Sequence, residues 1–460
     1  MRRKKRPVRR LKSSAGLRNN AEKRLERYRL GLSKGYEQGL KAGLDNYEAY
    51  FEGTSIIIPS DNEVESVKAC IEGIMDHTDL AYEIIVIDNS STDGIEHYLN
   101  QLDGQVRYRI LPESIGFTGA ANIGFMMAKG TSILLLNNRI QPTENWLENL
   151  LLCLNSDDSI GLVGPVSNGL SGKQRMEIHF DDLEDKHEYA RVNNKSDSSK
   201  WHQTDRLSGC CLLFRRELLE RVGYLDEGCQ ETPYYADDYG LRVKLQGSSL
   251  VYARDALVYF AEQAEERVER QMSQAGHPDS SLYFSNKWRG IDSVIFDMEA
   301  SAYGRDEWFK GMSAESGAKL GESAFYPQHL AVKGLGETIY WIEDCVRRPI
   351  NGQWGESVIC LSQLDLWRWA MGEPVPAEAL TAFKGFLGED EALRDGMLCE
   401  DSNGSSYYLE NGRKRAIISR LAAECWGLDA HRQMKLTDEE LSVIPDGLPI
   451  IAPVKLLQAL

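Results

Sequence analysis

Strand-like apolar runs that each stop on a cluster of polar residues, with helical spacers between them, constrain this chain more than any other feature. Thr54–Pro59 (TSIIIP), Glu83–Asp88 (EIIVID) and Ser132–Leu136 (SILLL) are near-continuous apolar runs, and Val106–Leu111 is a further strand between them. Runs of this kind mark strands buried on both faces of a parallel sheet. Helical stretches follow at about Glu63–Asp76, up to Tyr98, and at Gly116–Lys129. The alternation predicts an α/β domain with a mostly parallel, Rossmann-like sheet. Open sheets of that class bind ligands outside the carboxyl ends of their strands. The polar clusters fall just there: Ser60-Asp61-Asn62, Asp88 to Asp93, and Asn137-Asn138-Arg139.

At 460 residues the chain exceeds one hydrophobic core and implies two or three domains. With 42% apolar and 27% charged residues it is neither disordered, collagenous nor coiled coil. No apolar run approaches the roughly 18 residues that span a bilayer. The basic N-terminus lacks the apolar stretch of a signal peptide. A cytoplasmic location is expected, with the Cys residues, which include no CxxC pair, as reduced thiols. The net charge of −17 is unevenly spread. Residues 1–30 hold 13 Lys or Arg against 2 Glu, leaving 40 basic and 68 acidic side chains elsewhere. Residues 1–50 are read as a basic arm followed by a helix in which Gly31, Gly35, Gly39 and Gly43 form one stripe. The arm either meets an anionic surface or docks on the acidic body. Nucleic acid is disfavoured, because that body repels phosphate. Each Gly costs a free helix about 1 kcal/mol, so the stripe implies close packing on the main domain or on a second copy in a homo-oligomer.

Beyond Ser167 the pattern weakens. Residues 171–204 are polar and read as a long functional or disordered loop. Periodicity returns with a helix over Arg216–Val222, another after Asp238, short strands at Leu250–Ala253 and Ala256–Phe260, and a charged helix at Glu262–Gln271. Residues 293–328 read as a linker or helical segment. An internal repeat follows: Tyr340 to Ile350 (YWIEDCVRRPI) aligns with Tyr407 to Ile417 (YYLENGRKRAI) at an offset of 67. Each copy predicts a hairpin, and Asn411-Gly412 favours a type I′ turn. This divides the C-terminal part into small α+β modules at 329–395 and 396–460. They look like a module found on bacterial surface-associated and enzyme chains. Tyr340-Trp341 and Tyr407-Tyr408 either stack on cell-surface glycan or pack, and strand alternation turns one of each pair inward.

Several ordered motifs resemble family-two glycosyltransferases: Ile58-Pro59-Ser60-Asp61-Asn62, Val86 to Gly94 (VIDNSSTDG), Ile115 to Gly124 (IGFTGAANIG), Leu135 to Arg139 (LLNNR), Leu207 to Arg216 (LSGCCLLFRR), Val222 to Glu227 (VGYLDE) and Asp238 to Arg242 (DYGLR). The resemblance covers about residues 54–262. It implies a GT-A type nucleotide-diphospho-sugar transferase domain over 51–292 with a nucleotide sugar, expected to be a UDP-sugar, as donor. Its donor-site candidates are Pro59, Asp61, Asp88, Gly116, Asn122, Asn137, Asn138, Arg139 and Arg242. Asp88 either accepts a uracil-type N–H or caps its turn, and Asp93 reads as a cap. Gly116, Gly119 and Asn122 either approach ribose and phosphate or serve helix–sheet packing.

Three positions depart from the family pattern. The Asp that ends the fourth strand and holds Mn²⁺ or Mg²⁺ is replaced by Arg139, which cannot ligate a cation but can bind phosphate oxygens bidentately. A divalent cation, Mn²⁺ or Mg²⁺, is therefore disfavoured, and no residue is named as its ligand. The family's acidic pair aligns with Tyr235-Ala236, leaving Asp237 and Asp238 as candidate bases. The His after the last strand aligns with Tyr259 or Phe260. Two readings stand. One is an inverting transferase, weakly or not metal dependent, acting on a polymer or surface-protein acceptor. The other is a catalytically inactive scaffold that binds glycan or protein.

Overall fold

Each expected strand is present and ends at its polar cluster. In the computed structural model, β1 (Phe51–Ser60), β2 (Tyr82–Asp88), β3 (Arg107–Ile110) and β4 (Gly130–Leu136) are linked through α1 (Val64–His77), α2 (Ile95–Gln101) and α3 (Gly116–Met127). Then come β5 (Ile140–Gln141), α4 (Trp146–Leu154), β6 (Ile160–Ser167), α5 (Leu183–Asn193), β7 (Trp201–Thr204) and β8 (Cys211–Arg215). The elements α6 (Arg216–Val222), α7 (Tyr234–Leu245), β9 (Ser249–Phe260) and α8 (Pro278–Lys287) follow. The structure describes residues 50–170, 172–176, 183–231, 233–260, 278–288, 321–380, 395–429 and 433–456. The arm, the glycine stripe, the charged helix at 262–271 and residues 293–320 of the expected linker lie outside the described residues.

The strands form one mixed sheet in the order β3-β2-β1-β4-β8-β6-β9-β5, with β7 also on β9. The pairs β3–β2, β2–β1 and β1–β4 are parallel, whereas β8 runs against both neighbours. Alternation divides the core cleanly. Ile56, Ile58, Val86 and Leu134 pack under α1, α2 and α4, while Ile57, Ile85, Ile133 and Leu135 pack against α3, α6 and α7. Each such aliphatic side chain contributes about 1.5–3 kcal/mol when fully buried. On the second face α3 lies so close that a methyl group at Gly124 would collide with Ile57.

Two expectations are corrected. The polar stretch 171–204 contains α5 and β7. The inward stripe of α5 is Lys186, Ala190 and Asn194, spaced by four but not apolar, so its periodicity is invisible to a hydrophobic count. The two short strands at 250–260 are one strand, β9, with a register shift opposite Pro165 and Val166. Gly321–Phe325, in the stretch read as a linker or helical segment, is a buried 3₁₀ turn.

The repeat is real in topology. The first module holds β10 (Leu330–Lys333), β11 (Tyr340–Glu343), β12 (Val346–Asn351), β13 (Ile359–Cys360), α9 (Gln363–Arg368), β14 (Ala370–Met371) and β15 (Val375–Pro376). The second holds β16 (Leu398–Glu400), β17 (Ser406–Glu410), β18 (Arg413–Ala416), α10 (Arg420–Cys425), β19 (Gln433–Lys435) and α11 (Asp438–Ser442). The strand orders β13-β10-β11-β12 and β19-β16-β17-β18 match. In both modules the outer strand is parallel to its neighbour. Both hairpin turns, Asp344-Cys345 and Asn411-Gly412, have positive φ at both central residues, as a type I′ turn requires. Trp341 and Tyr408 are the buried members of their aromatic pairs.

A buried chain of charges joins the modules to the sheet domain. Lys287 of α8 donates to Asp226 Oδ2 (2.5 Å) and Asp238 Oδ1 (2.6 Å), and Arg242 donates to Asp238 Oδ2 (2.9 Å) and Glu322 Oε2 (3.0 Å). All five side chains are essentially inaccessible to solvent. Removing one partner strands the other charges in a medium that cannot solvate them. Lys287→Met is therefore expected to lower the unfolding free energy by about 3–5 kcal/mol, read as a lower urea midpoint. A loss below about 1 kcal/mol would contradict this account.

Candidate active site

Between β1 and β4 the sheet reverses its winding: the chain leaves β1 toward β2 and returns through α3 to β4 on the other side. That is the topological switch point, where a crevice opens at the strands' carboxyl ends. Ser60 and Asp88 end β1 and β2 in direct register, so both side chains emerge on the same face. Both are buried. Asp88 Oδ2 accepts the Ser91 N–H (3.0 Å), as a turn cap would, but among the described residues Asp88 Oδ1 and Ser60 Oγ have no hydrogen-bond partner. An unmade hydrogen bond in such a place costs about 1–3 kcal/mol. Burial pushes the Asp88 carboxyl above the ordinary range, Ser91 opposes this, and Asp93 and Asp61 reinforce it. Pro59, opposite Ile87, is a buried strand residue just before Ser60.

The turns after these strands are laced together. Asn62 donates its N–H to Ser91 Oγ (2.7 Å) and accepts the Thr92 N–H (2.9 Å), while Asp61 accepts from Asn62 Nδ2 (2.9 Å). Asp93 accepts from Val64 N and Ile95 N at the starts of α1 and α2, and is a cap as expected. Asn89 bridges Ser114 Oγ and the Ile115 N–H.

At the far side of the crevice, Asn137 accepts the Arg139 N–H (3.0 Å) and donates its own to Cys210 O (2.8 Å). Asn138 is buried beside it. The Arg139 guanidinium forms a two-point ion pair with Glu63, through Nε–Oε2 (2.7 Å) and Nη2–Oε1. These side chains are only 13% and 14% exposed, so the pair is largely desolvated and spans the crevice from the β1 end to the β4 end. A divalent cation does not fit here, because the position carries a guanidinium and its nearest carboxylate is already engaged. Among the described residues no three His, Cys, Asp or Glu side chains converge as ligands.

Several sequence candidates prove structural. Asn122 is buried and spent on Leu225 and Glu227, donating to Leu225 O (3.0 Å) and Glu227 Oε1 (3.0 Å) and accepting the Leu225 N–H (2.8 Å). Gly116 has φ 79° at the start of α3, but the space above it is filled by Gln230, which also accepts from Thr118 Oγ1. Arg242 is fully enclosed by Asp238, Glu322 and the Val222 and Tyr224 carbonyls. Asp238 accepts from Lys287, Trp288 and Arg242 and faces no solvent. Burial alone pushes its carboxyl up, yet the Lys287 ammonium and Arg242 guanidinium bring it below the usual carboxylate range. Such a group takes no proton from an acceptor. Donor binding by Asn122, Gly116 and Arg242, and base catalysis by Asp238, are thus withdrawn. Tyr259, at the expected His position, is buried and donates to Lys186 O (3.0 Å).

Asp237 is different. It lies in the first turn of α7, 10% exposed, gripped at both oxygens by Arg206, whose side chain is 67% exposed. Tyr235 donates to Gly209 O (2.9 Å), which ties this turn to the segment that also accepts from Asn137. Burial raises the Asp237 carboxyl, and Arg206 opposes the rise.

The glycosyl transferase family 2 model matches residues 55–223. This chain carries a family 2 glycosyltransferase domain. The glycosyltransferase AglE of Haloferax volcanii is 30% identical over 24% of this chain and 38% of that protein. A chondroitin synthase of Escherichia coli is 22% identical over 49% of this chain and 37% of its own length. The chain thus spans well under half of these relatives. A mannosyltransferase of Pyrobaculum calidifontis, solved with GDP-Man and Mn²⁺, overlaps 55% of this chain and 73% of its own at 16% identity and a TM-score of 0.36.

Within the glycosyltransferase domain, sequence reasoning missed Glu63 and Arg206 and passed over Ser60. A signal existed for Glu63, because a cation in place of an acidic ligand calls for a counter-carboxylate on the neighbouring strand's loop. Nothing local marks Arg206. For Asp88 the sign of the pH effect follows from its raised carboxyl: native stability is greatest when the group is protonated and falls as pH rises through the raised value. Asp88→Asn is expected to raise the thermal midpoint at neutral pH. Its advantage should shrink toward pH 4 and vanish below the ordinary carboxylate range, as measured by calorimetry across pH.

Proposed function

We propose that this glycosyltransferase domain moves a sugar from a nucleotide diphosphate, a UDP-sugar, to an acceptor hydroxyl with inversion and without a divalent cation. The observation that carries this reading is the buried pair of unpartnered atoms at adjacent strand ends, Ser60 Oγ and Asp88 Oδ1. Asp88 Oδ1 is an acceptor set for an imide-type N–H, which uracil offers and adenine and cytosine do not. Entry of the base opens the Asn62–Ser91 and Asn62–Thr92 contacts, which join exposed turns.

The diphosphate then meets Arg139, which releases Glu63 and offers two parallel N–H groups to phosphate oxygens. Asp237 leaves Arg206 and takes the proton of the acceptor hydroxyl as its oxygen attacks the anomeric carbon. The bond from that carbon to the diphosphate oxygen breaks, its electron pair departs with UDP, and the Arg139 charge stabilises the leaving group. The C-terminal modules beside the domain, and relatives that include chondroitin synthases, support a polymer or surface-protein acceptor. A cytoplasmic location is part of the same reading.

Because Arg139 is neutralised at rest, donor binding must break a charge-assisted pair worth about 1.5–3 kcal/mol. Glu63→Ala is expected to tighten UDP binding by about 10–100-fold in calorimetry, and Arg139→Ala to weaken it, both unchanged by EDTA. GDP, CDP and ADP serve as competitors. Asp237→Asn should leave UDP affinity intact while lowering turnover by about 10²–10⁴-fold. A second reading, a sugar-nucleotide-binding scaffold without turnover, draws on Tyr235-Ala236 in place of the acidic pair and on the neutralised state of both Arg139 and Asp237. It predicts UDP binding with no transfer or hydrolysis in the unmodified protein.

A further inference from the structure

Strand register equates positions of the two modules. On the hairpins the offset is 67. Beyond them it is 75, because Arg347 pairs with Met371 and Ile350 with Val375 where Lys414 pairs with Asp446 and Ile417 with Ile450. The helices agree, since Ser362 caps α9 and Thr437 caps α11. In the first module Leu335, Trp367 and Met371 are 55%, 64% and 55% exposed. Their counterparts are Ser402, Ser442 and Asp446. There Ser402 donates to Asp438 (2.9 Å), the counterpart of Gln363, and Asp446 pairs with Lys414 (2.9 Å). The module fold thus forms with polar side chains at all three positions and does not call for apolar ones.

The three apolar side chains gather around α9. Gln363, at its start, accepts the Leu335 N–H (3.4 Å), and Trp367 follows one turn later on the same face. The Leu366 carbonyl accepts from Arg347 (3.1 Å), the strand partner of Met371. Leu366 and Trp369 are buried, so α9 packs on the core with one side and presents Trp367 on the other. A cluster of large exposed apolar side chains marks an interaction surface. The patch adjoins the point where the described chain begins. Tyr50 stacks on the Arg216 guanidinium (4.1 Å) at the start of α6. Glu220, about 6 Å along the same helix, accepts Arg368 Nε at its carbonyl (2.8 Å), and Arg368 is the neighbour of Trp367.

We infer that residues 36–47 of the same chain dock as a helix on the Leu335–Trp367–Met371 patch. At 100° per residue Tyr36, Leu40, Leu44 and Tyr47 fall within an arc of about 80°, which gives the segment one apolar face for the patch. From Tyr50 back to Tyr36 a helix is about 21 Å long, enough to pass from α6 and lie along α9. Charge favours the same placement: residues 1–30 hold 13 Lys or Arg against 2 Glu, and Glu217 and Glu220 of α6 and Glu373 beyond Met371 are exposed. This docking is independent of sugar transfer.

The test places a photo-cross-linker, Tyr36→p-benzoylphenylalanine, in the full chain and irradiates a mixture of isotope-labelled and unlabelled protein. Mass spectrometry is expected to find cross-links to residues 333–337 or 363–371 within one chain. Trp367→Ser, which installs the side chain of the second module, should lower their yield at least fivefold. In the chain without cross-linker, the same substitution should speed amide hydrogen exchange over residues 36–47 at least tenfold. That arm needs no substitution in the docking segment, and an exposed Trp is replaced without loss of core packing. Cross-links that fall elsewhere, or that join only labelled to unlabelled chains as a second copy would, overturn the inference. So do a yield and an exchange rate that Trp367→Ser leaves unchanged.

Discussion

The buried sequence of charges Asp226–Lys287–Asp238–Arg242–Glu322 is the joint on which the rest of the molecule depends. It brings together the loop after α6, helix α7, helix α8 and the 3₁₀ turn ahead of the modules. Taking five ionised groups out of water is expensive unless each is met by an opposite charge and by hydrogen bonds. Here the remaining valences go to Tyr283, Trp288 and the carbonyls of Val222 and Tyr224. A network satisfied in this way tolerates one arrangement of its helices. The pitch of α7 follows, and with it the placement of Tyr235 against Gly209 and of Asp237 against Arg206.

Electrostatics also set the resting state of the crevice. The family solution puts a cation between carboxylates at the end of the fourth strand; this chain puts a guanidinium there and supplies a carboxylate from the neighbouring loop. Arg139 is matched by Glu63, and Asp237 by Arg206. In a partly desolvated place such pairs are stronger than their exposed counterparts. On the proposed function, donor and acceptor binding are exchanges of one ion pair for another rather than simple additions to a charged pocket.

Duplication at the C-terminal end shows how one hairpin can be used in two ways. Glu410 and Arg415 are fully buried, with Arg415 bonded to the carbonyl of the core residue Tyr326, while Glu343 and Arg348 are half-buried. The difference lies in what covers the face. The segment 324–328 desolvates the second pair and makes its hydrogen bonds strong, whereas water competes for the first, whose side chains are about one-third exposed.

Much of the transferase domain was legible in the chain because its strands announce themselves by continuous apolar runs and its turns by Asp, Asn, Ser and Gly. Parallel order, the Asp93 cap and the duplicated hairpins all follow from local pattern. Helix α5 did not, since the stripe it buries is Lys186, Ala190 and Asn194. Roles within the site were less legible still. Asp237 and Asp238 are neighbours with the same side chain, yet a helix turns consecutive residues about 100° apart, so one meets Arg206 at the surface and the other is sealed against Lys287. Amino-acid order determined which elements form and where their polar ends collect, because those depend on short-range periodicity. Tertiary structure alone decided which carboxylate lies near the surface, which arginine is held and by whom, because charge partners come from segments up to 80 residues apart.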